Sequence, residues 1–293
     1  MSLTLDPEIA AALAPMAESG FTPPAIGDIA GRRAMWEPII GAASTAQPTS
    51  RPASTTRPRT TARGSSCAGT SRTARPPVPP SCSSTAAATS SAHIDLFDGP
   101  VSRYVSASGV PMLSVEYRRA PEHPFPTPLE DAYAALRWLN DHAAELGVAP
   151  DRIGVMGDSA GGGMAAGLTI LARERGGPRI ARQILIMPML DDRTREPDPE
   201  IASNLLWTYD DSATAWPALL GDATGLPPAY IEVGQIDVFR DEDLAYAIKL
   251  SRAGVPVEFH LHPGAPHEFD SIAFGSDVAR RAIADRVRVL KSI

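Results

Sequence analysis

The sequence contains little lysine and little cysteine. Of its 27 Lys and Arg side chains only Lys249 and Lys291 are lysines, and the formal net charge is -7 at pH 7. Because binding of a phosphate backbone depends on clustered Lys and Arg, this balance excludes a nucleic-acid partner. The 2 cysteines, Cys67 and Cys82, lie in one unusual segment. They indicate neither a disulfide framework nor a zinc site, and we expect no metal.

Long apolar runs are also missing. No stretch approaches the ~18 consecutive apolar residues of a membrane-spanning helix. The N-terminal stretch MSLTLDPEIAAALAPMAESG carries acidic residues and lacks the basic start and unbroken apolar core of a secretory signal. We therefore expect a cytoplasmic protein without stable membrane insertion.

Residues 46–92 lack nearly everything that builds a core. They include seven Pro and six Arg, no acidic residue, and Val78 as the sole member of the set Val, Ile, Leu, Met, Phe, Tyr and Trp. Such a composition cannot bury enough apolar surface to offset the entropy lost on ordering. The sequence therefore predicts an irregular or disordered low-complexity segment there.

Residues 1–45 have helical patterning. LDPEIAAALAPMAES and IGDIAGRRAMWEPI predict two short amphipathic helices between Asp6 and about Gly41. The intervening GFTPPA contains a proline pair that breaks any continuous helix. We expect these helices to form a separate N-terminal segment.

Residues 93–293 alternate between strand and helix patterns. This rhythm predicts an α/β fold with a mostly parallel central sheet covered by helices on both faces. The predicted strands are VPMLSVEYR, RIGVMG, ARQILIMPML, PPAYIEVG and PVEFHLHPG. The predicted helices are TPLEDAYAALRWLNDHAAELG, SAGGGMAAGLTILARERG, DEDLAYAIKLSRAG and DVARRAIADRVRVLKS.

The first of these helices has the strongest end signals. Thr127 and Glu130 fit a capping box, with Pro128 at the first helical position. Gly147 suits a left-handed residue that ends a helix. These signals predict a helix running from Thr127 almost to Gly147.

A G-x-S-x-G pattern joins a predicted strand to a predicted helix. It consists of Gly157, Asp158, Ser159, Ala160 and Gly161, and Gly162 follows. A nucleophile elbow needs small residues around a strained serine that projects above the sheet. The strand-turn-helix setting favours this interpretation over a glycine-rich loop with an incidental serine.

A serine nucleophile needs a base, and the base needs a group that fixes its tautomer. Asp237 and His267 follow Ser159 in the order acid, then histidine, and each comes just after a predicted strand. Their loops leave the same rim of a parallel sheet as Ser159. We expect these three side chains to meet.

Several neighbours are alternatives to these residues. The acidic run at the start of the next helix competes with Asp237, but acidic residues there commonly complement the helix dipole. It comprises Asp241, Glu242 and Asp243. His260 and His262 alternate on one strand face and could form a metal site with His267, although no fitted fourth ligand is present. His93, His123 and His142 are expected to be surface or loop histidines.

Four separated segments resemble the hormone-sensitive-lipase-like family of α/β-hydrolase esterases, in its bacterial carboxylesterase branch. They are VEYRRAPEHPFPTPLEDAYAALRWL, GDSAGG, EVGQIDVFRDEDLAYA and HPGAPHEFD. The resemblance covers nearly everything from Ile94 onward, and the N-terminal helices resemble the family's cap. It implies an α/β-hydrolase fold and a serine carboxylesterase acting on small to medium acyl esters without a cofactor.

The same resemblance implies roles for individual residues. Ser159 would be the nucleophile, His267 the general base and then acid, Asp237 its orienting partner, and the Ala160 amide one oxyanion donor. Related esterases often dimerise through the last strand and helix, so a homodimer is implied as well.

The sequence departs from the family where an oxyanion loop should be. The family has a His-Gly-Gly-Gly type loop before its first long helix, and the backbone N–H groups of that loop complete the oxyanion hole. Here the corresponding position is close to STAAATSS, residues 84–91. Losing one such donor lowers turnover by about 100- to 1,000-fold.

Composition suggests an origin for this departure. A chain rich in Ala, Arg and Pro with almost no Lys indicates a GC-rich gene. Codons for His-Gly-Gly, CAC-GGC-GGC, read one base late begin ACG-GCG, which encodes Thr-Ala. We hypothesise that residues 46–92 are translated out of frame and that the frame is restored near His93. A real low-complexity insertion is the alternative.

A second departure lies in WPALLGDATGLPPAYIEVG, where the connection around residues 220–227 is shorter than is usual in the family. Both departures leave open a protein of another class: a non-catalytic or impaired α/β-hydrolase-like binding protein with an incomplete oxyanion hole.

Overall fold

The structure is a computed structural model that describes residues 3–18, 24–25, 28–45, 55–56, 66–70, 94–191, 198, 200–201 and 225–293. Within this part of the chain, no helix combines the length and apolar character needed to cross a bilayer. The shortened connection around residues 220–227 lies mostly outside the described residues, and His93 lies outside them as well.

The chain begins with two helices, as the sequence predicts. Helix α1 spans Pro7–Glu18 and α2 spans Ile29–Thr45, so α2 extends beyond the expected end near Gly41. The Asp6 carboxylate accepts the amide of Glu8 at 2.9 Å and so satisfies one of the free N–H groups at the start of α1.

Contacts distant in sequence hold α1 against the rest of the protein. The Asp6 amide donates to the Gly264 carbonyl at 2.8 Å, and the Asp277 amide donates to Glu8 Oε2 at 2.5 Å. Ile9 is completely buried in a core cluster that also contains Phe269. The first helix is therefore packed against elements near residue 270.

Two short strands lie inside the segment that the sequence predicts to be irregular. Strand β1 spans Thr55–Thr56 and β2 spans Ser66–Thr70. They form an antiparallel sheet in the order β1-β2-β3 with β3, Leu113–Glu116. The prediction was wrong for the 2 residues of β1 and the 5 residues of β2. The prediction relied on the lack of apolar side chains, but the hydrogen bonds between strands need only backbone groups. The remainder of 46–92 lies outside the described residues.

The central sheet has four parallel strands in chain order. They are β4, Gly154–Asp158; β5, Arg182–Ile186; β6, Ala229–Ile236; and β7, Val257–Pro266. In the register, Asp158 lies opposite Ile186, and Ile236 lies opposite Pro266. Within the described residues, the carboxyl ends of these strands thus lie on the same side of the sheet, and the predicted parallel sheet is confirmed for them, whereas the predicted strand VPMLSVEYR contributes β3 to the antiparallel sheet.

Helices cover both faces of this sheet. They are α3, Asp98–Ser108; α4, Thr127–Asp141; α5, Ala160–Glu174; α6, Arg240–Arg252; α7, Phe269–Ile272; and α8, Asp277–Lys291. Successive strand residues point to opposite faces. Val155 accordingly belongs to the core cluster that includes residues of α4, α5 and α6, whereas Met156 belongs to the cluster that includes residues of α3 and α8. Helix α3 was not predicted from the sequence.

The capping box predicted for α4 was wrong. Pro126 occupies the cap position with no side-chain cap hydrogen bond, and Thr127 is already helical. The Glu130 carboxylate instead forms an ion pair with Arg175, with N to O distances of 2.7 and 2.5 Å. The helix ends at Asp141, and Gly147 has the expected left-handed φ of 66° in the turns that follow.

Candidate active site

The sharp turn after β4 has the geometry of a nucleophile elbow. Ser159 has φ 55° and ψ −121°, and it stands between the last residue of β4 and the first of α5. A Cβ at Gly157 would overlap the Gly161 carbonyl oxygen, and one at Gly162 would lie 2.7 Å from the Pro188 Cβ. Glycine is therefore required at both positions for the backbones to approach so closely.

The elbow is fixed by hydrogen bonds to the segment that continues from β5. The Ser159 amide donates to the Ile186 carbonyl at 2.9 Å. The Met189 amide donates to the Ser159 carbonyl at 3.0 Å. These bonds hold the strained backbone of Ser159 against the end of the neighbouring strand.

The three expected side chains form one hydrogen-bonded chain. Ser159 Oγ lies 3.0 Å from His267 Nε2, and His267 Nδ1 lies 2.9 Å from Asp237 Oδ2. A carboxylate only accepts hydrogen bonds, so Nδ1 carries the proton and Nε2 is free to accept the serine proton. The other Asp237 oxygen accepts the Phe239 amide at 3.0 Å, which orients the carboxylate.

Burial and charge act in opposite directions on His267. Ser159, His267 and Asp237 are 4%, 2% and 0% exposed. Burial lowers the pKa of His267, but the Asp237 carboxylate raises it, and with further help from Glu268 and Asp270 the pKa lies above its usual value of 6.5. The site therefore stabilises the imidazolium that forms when His267 takes a proton.

Comparison with known proteins places this architecture in a family. A family model described as alpha/beta hydrolase fold matches residues 87–271, more than half of the chain. This chain belongs to the α/β-hydrolase fold family. The resemblance to hormone-sensitive-lipase-like esterases is confirmed by the relatives and structures that match this α/β-hydrolase.

Among curated relatives, Carboxylesterase NlhH of Mycobacterium tuberculosis is 38% identical over 200 residues, which cover 61% of this chain and 63% of that protein. Esterase LipI of Mycobacterium tuberculosis is 37% identical over 185 residues, covering 57% of this chain and 58% of that protein. The chain thus spans less than two thirds of the length of these relatives.

Solved structures match over a larger share of the chain. The structure entitled Bacterial Heroin Esterase is 31% identical with a TM-score of 0.83, and the match covers 99% of this chain and 98% of that one. A hyperthermophilic esterase from Pyrobaculum calidifontis is 26% identical with the same TM-score of 0.83, covering 99% of both chains.

The oxyanion side of this α/β-hydrolase is described only in part. Ala160 begins α5, so its N–H is one of the first helical amides, which have no partner within the helix. The positive end of the helix dipole adds to its attraction for an anion. The position of the expected second donors, residues 84–91, lies outside the described residues.

The acidic run after Asp237 lies in the first turn of α6, and its members differ in burial. Asp241 is exposed and pairs with Arg240 at 2.7 Å, as suits the start of a helix. Glu242 is buried and accepts the Leu190 amide at 2.7 Å. Asp243 is 0% exposed, and neither of its carboxyl oxygens has a hydrogen-bond partner among the described residues. The position expected for this run at the start of a helix is thus found, and Glu242 in addition binds the loop that follows β5.

Two further carboxyl groups flank the site. Asp158, directly before Ser159, has one buried oxygen that no group in the described part of the chain hydrogen-bonds. Burial, and then the neighbouring Glu268, raise the pKa of Asp158 well above its usual value. Glu268 directly follows His267 with a left-handed φ of 57°, and its amide lies 3.0 Å from Met187 Sδ. Neither Glu268 nor Met187 was predicted from the sequence as part of the site.

The remaining histidines have other partners. His260 Nε2 lies 2.9 Å from Glu258, and the His260 and His262 ring centroids are 6.1 Å apart. His123 is exposed, and His142 stacks on Trp138 at a centroid distance of 4.6 Å, so both are surface or loop residues as expected. Among the described residues, no group of three or more His, Cys, Asp or Glu side chains is arranged to hold a metal ion.

Proposed function

We propose that the protein is a serine carboxylesterase that hydrolyses small to medium acyl esters through an acyl-enzyme intermediate. The observation that carries this proposal is the continuous hydrogen-bonded chain from Ser159 through His267 to Asp237. The names of the relatives, which include carboxylesterase and esterase, support the same reaction class.

In the first half of the reaction, His267 Nε2 takes the proton of Ser159 Oγ as the oxygen attacks the ester carbonyl carbon. The carbonyl oxygen becomes an oxyanion, and the Ala160 amide donates a hydrogen bond to it. The intermediate collapses with loss of the alcohol, to which protonated His267 gives its proton. Ser159 is then acylated.

In the second half, His267 takes a proton from water, and the resulting hydroxide attacks the acyl carbon. Collapse of the second intermediate releases the carboxylic acid and returns the proton to Ser159 Oγ. Asp237 holds the Nδ1–H tautomer and stabilises the imidazolium in both halves without being protonated itself. These steps need no cofactor.

The parts of the chain have assigned roles in this proposal. Residues 93–293 form the catalytic core, and the helices of residues 1–45 cap the acyl or alcohol pocket.

Peptide mass spectrometry across residues 42–100 tests the origin of the segment between these two parts. Peptides containing His-Gly-Gly would identify a reading-frame error, whereas peptides matching STAAATSS would establish that the oxyanion loop is absent. Bacterial origin, cytoplasmic location and homodimer formation remain predictions.

Titration with an organophosphonate tests the function directly. The expected result is stoichiometric covalent labelling of the folded protein at Ser159, lost in Ser159→Ala. The matched control is Ser271→Ala, which changes a serine on α7 outside the hydrogen-bonded chain and should leave labelling intact. Folded protein that is not labelled would instead support the non-catalytic binding protein.

A further inference from the structure

A buried arginine near the candidate active site joins three helices and one strand. Arg286 of α8 is 1% exposed, and its Nε donates to Glu232 Oε1 of β6 at 2.6 Å. Its Nη1 donates to the Tyr104 hydroxyl of α3 at 2.8 Å and also pairs with Asp270 of α7. Its Nη2 forms a second bond to Glu232. All three partners are themselves buried.

Two of these partners lie close in sequence to the catalytic candidates. Glu232 precedes Asp237 on the same strand and its loop, and its backbone carbonyl accepts the Met187 amide at 2.6 Å. Asp270 follows His267 in the first turn of α7. Arg286 therefore connects the strand that leads to Asp237 with the turn that carries His267.

The Glu232 carboxylate is charged in this arrangement. Burial alone would raise the pKa of Glu232, but the Arg286 guanidinium and the His262 ring, 3.6 Å from Glu232 Oε2, together lower it to about 2. Burial likewise opposes the charge of Arg286, yet Asp270 and Glu232 raise its pKa well above the usual value. The cluster is a buried ionic network with Arg286 at its centre.

Stability alone does not account for such a network. Replacing a buried ion cluster by apolar side chains of similar volume is often neutral or stabilising, because desolvation offsets the charge attraction. The guanidinium does, however, present its donors in a fixed planar fork. That fork sets the distance and angle between the two segments that it joins.

We propose that Arg286 is a positioning residue that holds His267 in hydrogen-bonding register with Asp237 and Ser159 by anchoring Asp270 and Glu232. This role rests on the proposed esterase function. The contact between the Glu268 amide and Met187 Sδ, 3.0 Å long, fixes the same turn from its other side.

The test uses the full chain with Asp270→Asn and Glu232→Gln, which keep side-chain shape and each remove one negative charge from the network. We expect kcat to fall about 10- to 100-fold with KM little changed, because small misplacements of reacting groups reduce rates by such factors. Arg286→Lys should retain more activity than Arg286→Met, because the lysine keeps the positive charge.

The pH profile provides a readout that a purely structural role would not move. The carboxylates of Asp237, Glu268 and Asp270 all raise the pKa of His267. Asp270→Asn removes one of them, so the acid limb of kcat/KM should move to lower pH. Val289→Ala is the matched control, because it truncates a side chain that is 1% exposed on the same helix. It should lower the melting temperature yet keep kcat and the acid limb.

Two results would overturn the positioning role. In the first, both amide variants keep the kcat and the acid limb of the wild type. In the second, Val289→Ala loses as much kcat as the amide variants do when its melting temperature is lowered by the same amount. Proton NMR of the low-field His267 Nδ1–H signal distinguishes failure of the positioning role from failure of the esterase proposal. If the wild type is not labelled by phosphonate but shows this signal, and Asp270→Asn weakens it, the esterase proposal fails and the positioning role stands. An unchanged signal in both amide variants rejects the positioning role.

Discussion

The buried carboxyl group of Asp243 should weaken the fold at neutral pH, and Asp243→Asn should remove that effect. Burial, followed by the neighbouring Glu242 and Asp237 carboxylates, raises the pKa of Asp243 well above its usual value. An acid with a higher pKa in the folded state than in the unfolded chain stabilises the fold fully below the unfolded pKa of about 3.9. That stability is lost as the pH rises through the folded pKa.

The size of this loss of stability follows from the surroundings of the two Asp243 carboxyl oxygens, neither of which has a hydrogen bond among the described residues. A buried polar group left unpaired costs about 1–3 kcal/mol, and a charged one costs more. Asparagine has nearly the same shape and does not ionise, so it removes the added cost of the buried charge but remains an unpaired polar group. We therefore expect Asp243→Asn to raise the free energy of unfolding by roughly 1–3 kcal/mol near neutral pH. In acid, where wild-type Asp243 is also neutral, the gain should be much smaller.

Urea denaturation in mildly acidic and in neutral buffer measures both quantities. Asp241→Asn is the matched control, because Asp241 lies on the same helix but has an exposed side chain (73%) paired with Arg240. Its effect should be small in both buffers, as is usual for surface ion pairs. If Asp243→Asn instead destabilises the protein in both buffers, the Asp243 carboxylate makes a stabilising contact, and the reasoning is wrong.

Three further predictions concern the active site. Asp237→Asn should lower kcat by about 10⁴-fold in steady-state assays, because the amide favours the wrong imidazole tautomer. The acid limb of kcat/KM should lie above pH 6.5, since His267 accepts the serine proton only when neutral and its pKa is raised. Glu268→Gly should raise the melting temperature, because glycine adopts the left-handed backbone conformation of Glu268 without the cost of about 1–2 kcal/mol that other residues bear. A lower melting temperature would contradict this prediction.

The hydrogen-bonded chain was predictable because its members carry local signals. Ser159 lies in a glycine-rich turn between a strand and a helix, and Asp237 and His267 each follow a strand with clear punctuation. Parallel strands bring such positions to one edge regardless of how the helices pack. The order of the motifs along the chain was therefore enough to predict their meeting.

Features that depend on distant partners were missed. Arg286 looks like an ordinary residue of a charged helix, but its partners lie 16, 54 and 182 positions away. Glu242 has a typical sequence for a helix start, and its burial depends on a loop 52 residues earlier. The capping box at Thr127 failed for the same reason, since Glu130 pairs with Arg175 across 45 positions. Tertiary contacts outweighed local preference in each case.

The docking of α1 also constrains the order in which the protein can be completed during synthesis. Asp6 bonds to Gly264, and Glu8 bonds to Asp277, 269 positions away. At about 5–20 residues per second, a ribosome needs roughly 13–50 s to make the chain between the first pair. Throughout that interval Ile9 is without its native packing partners near residue 270. Helix α1 is made before the other described helices and is thus among the last of them to reach its native place.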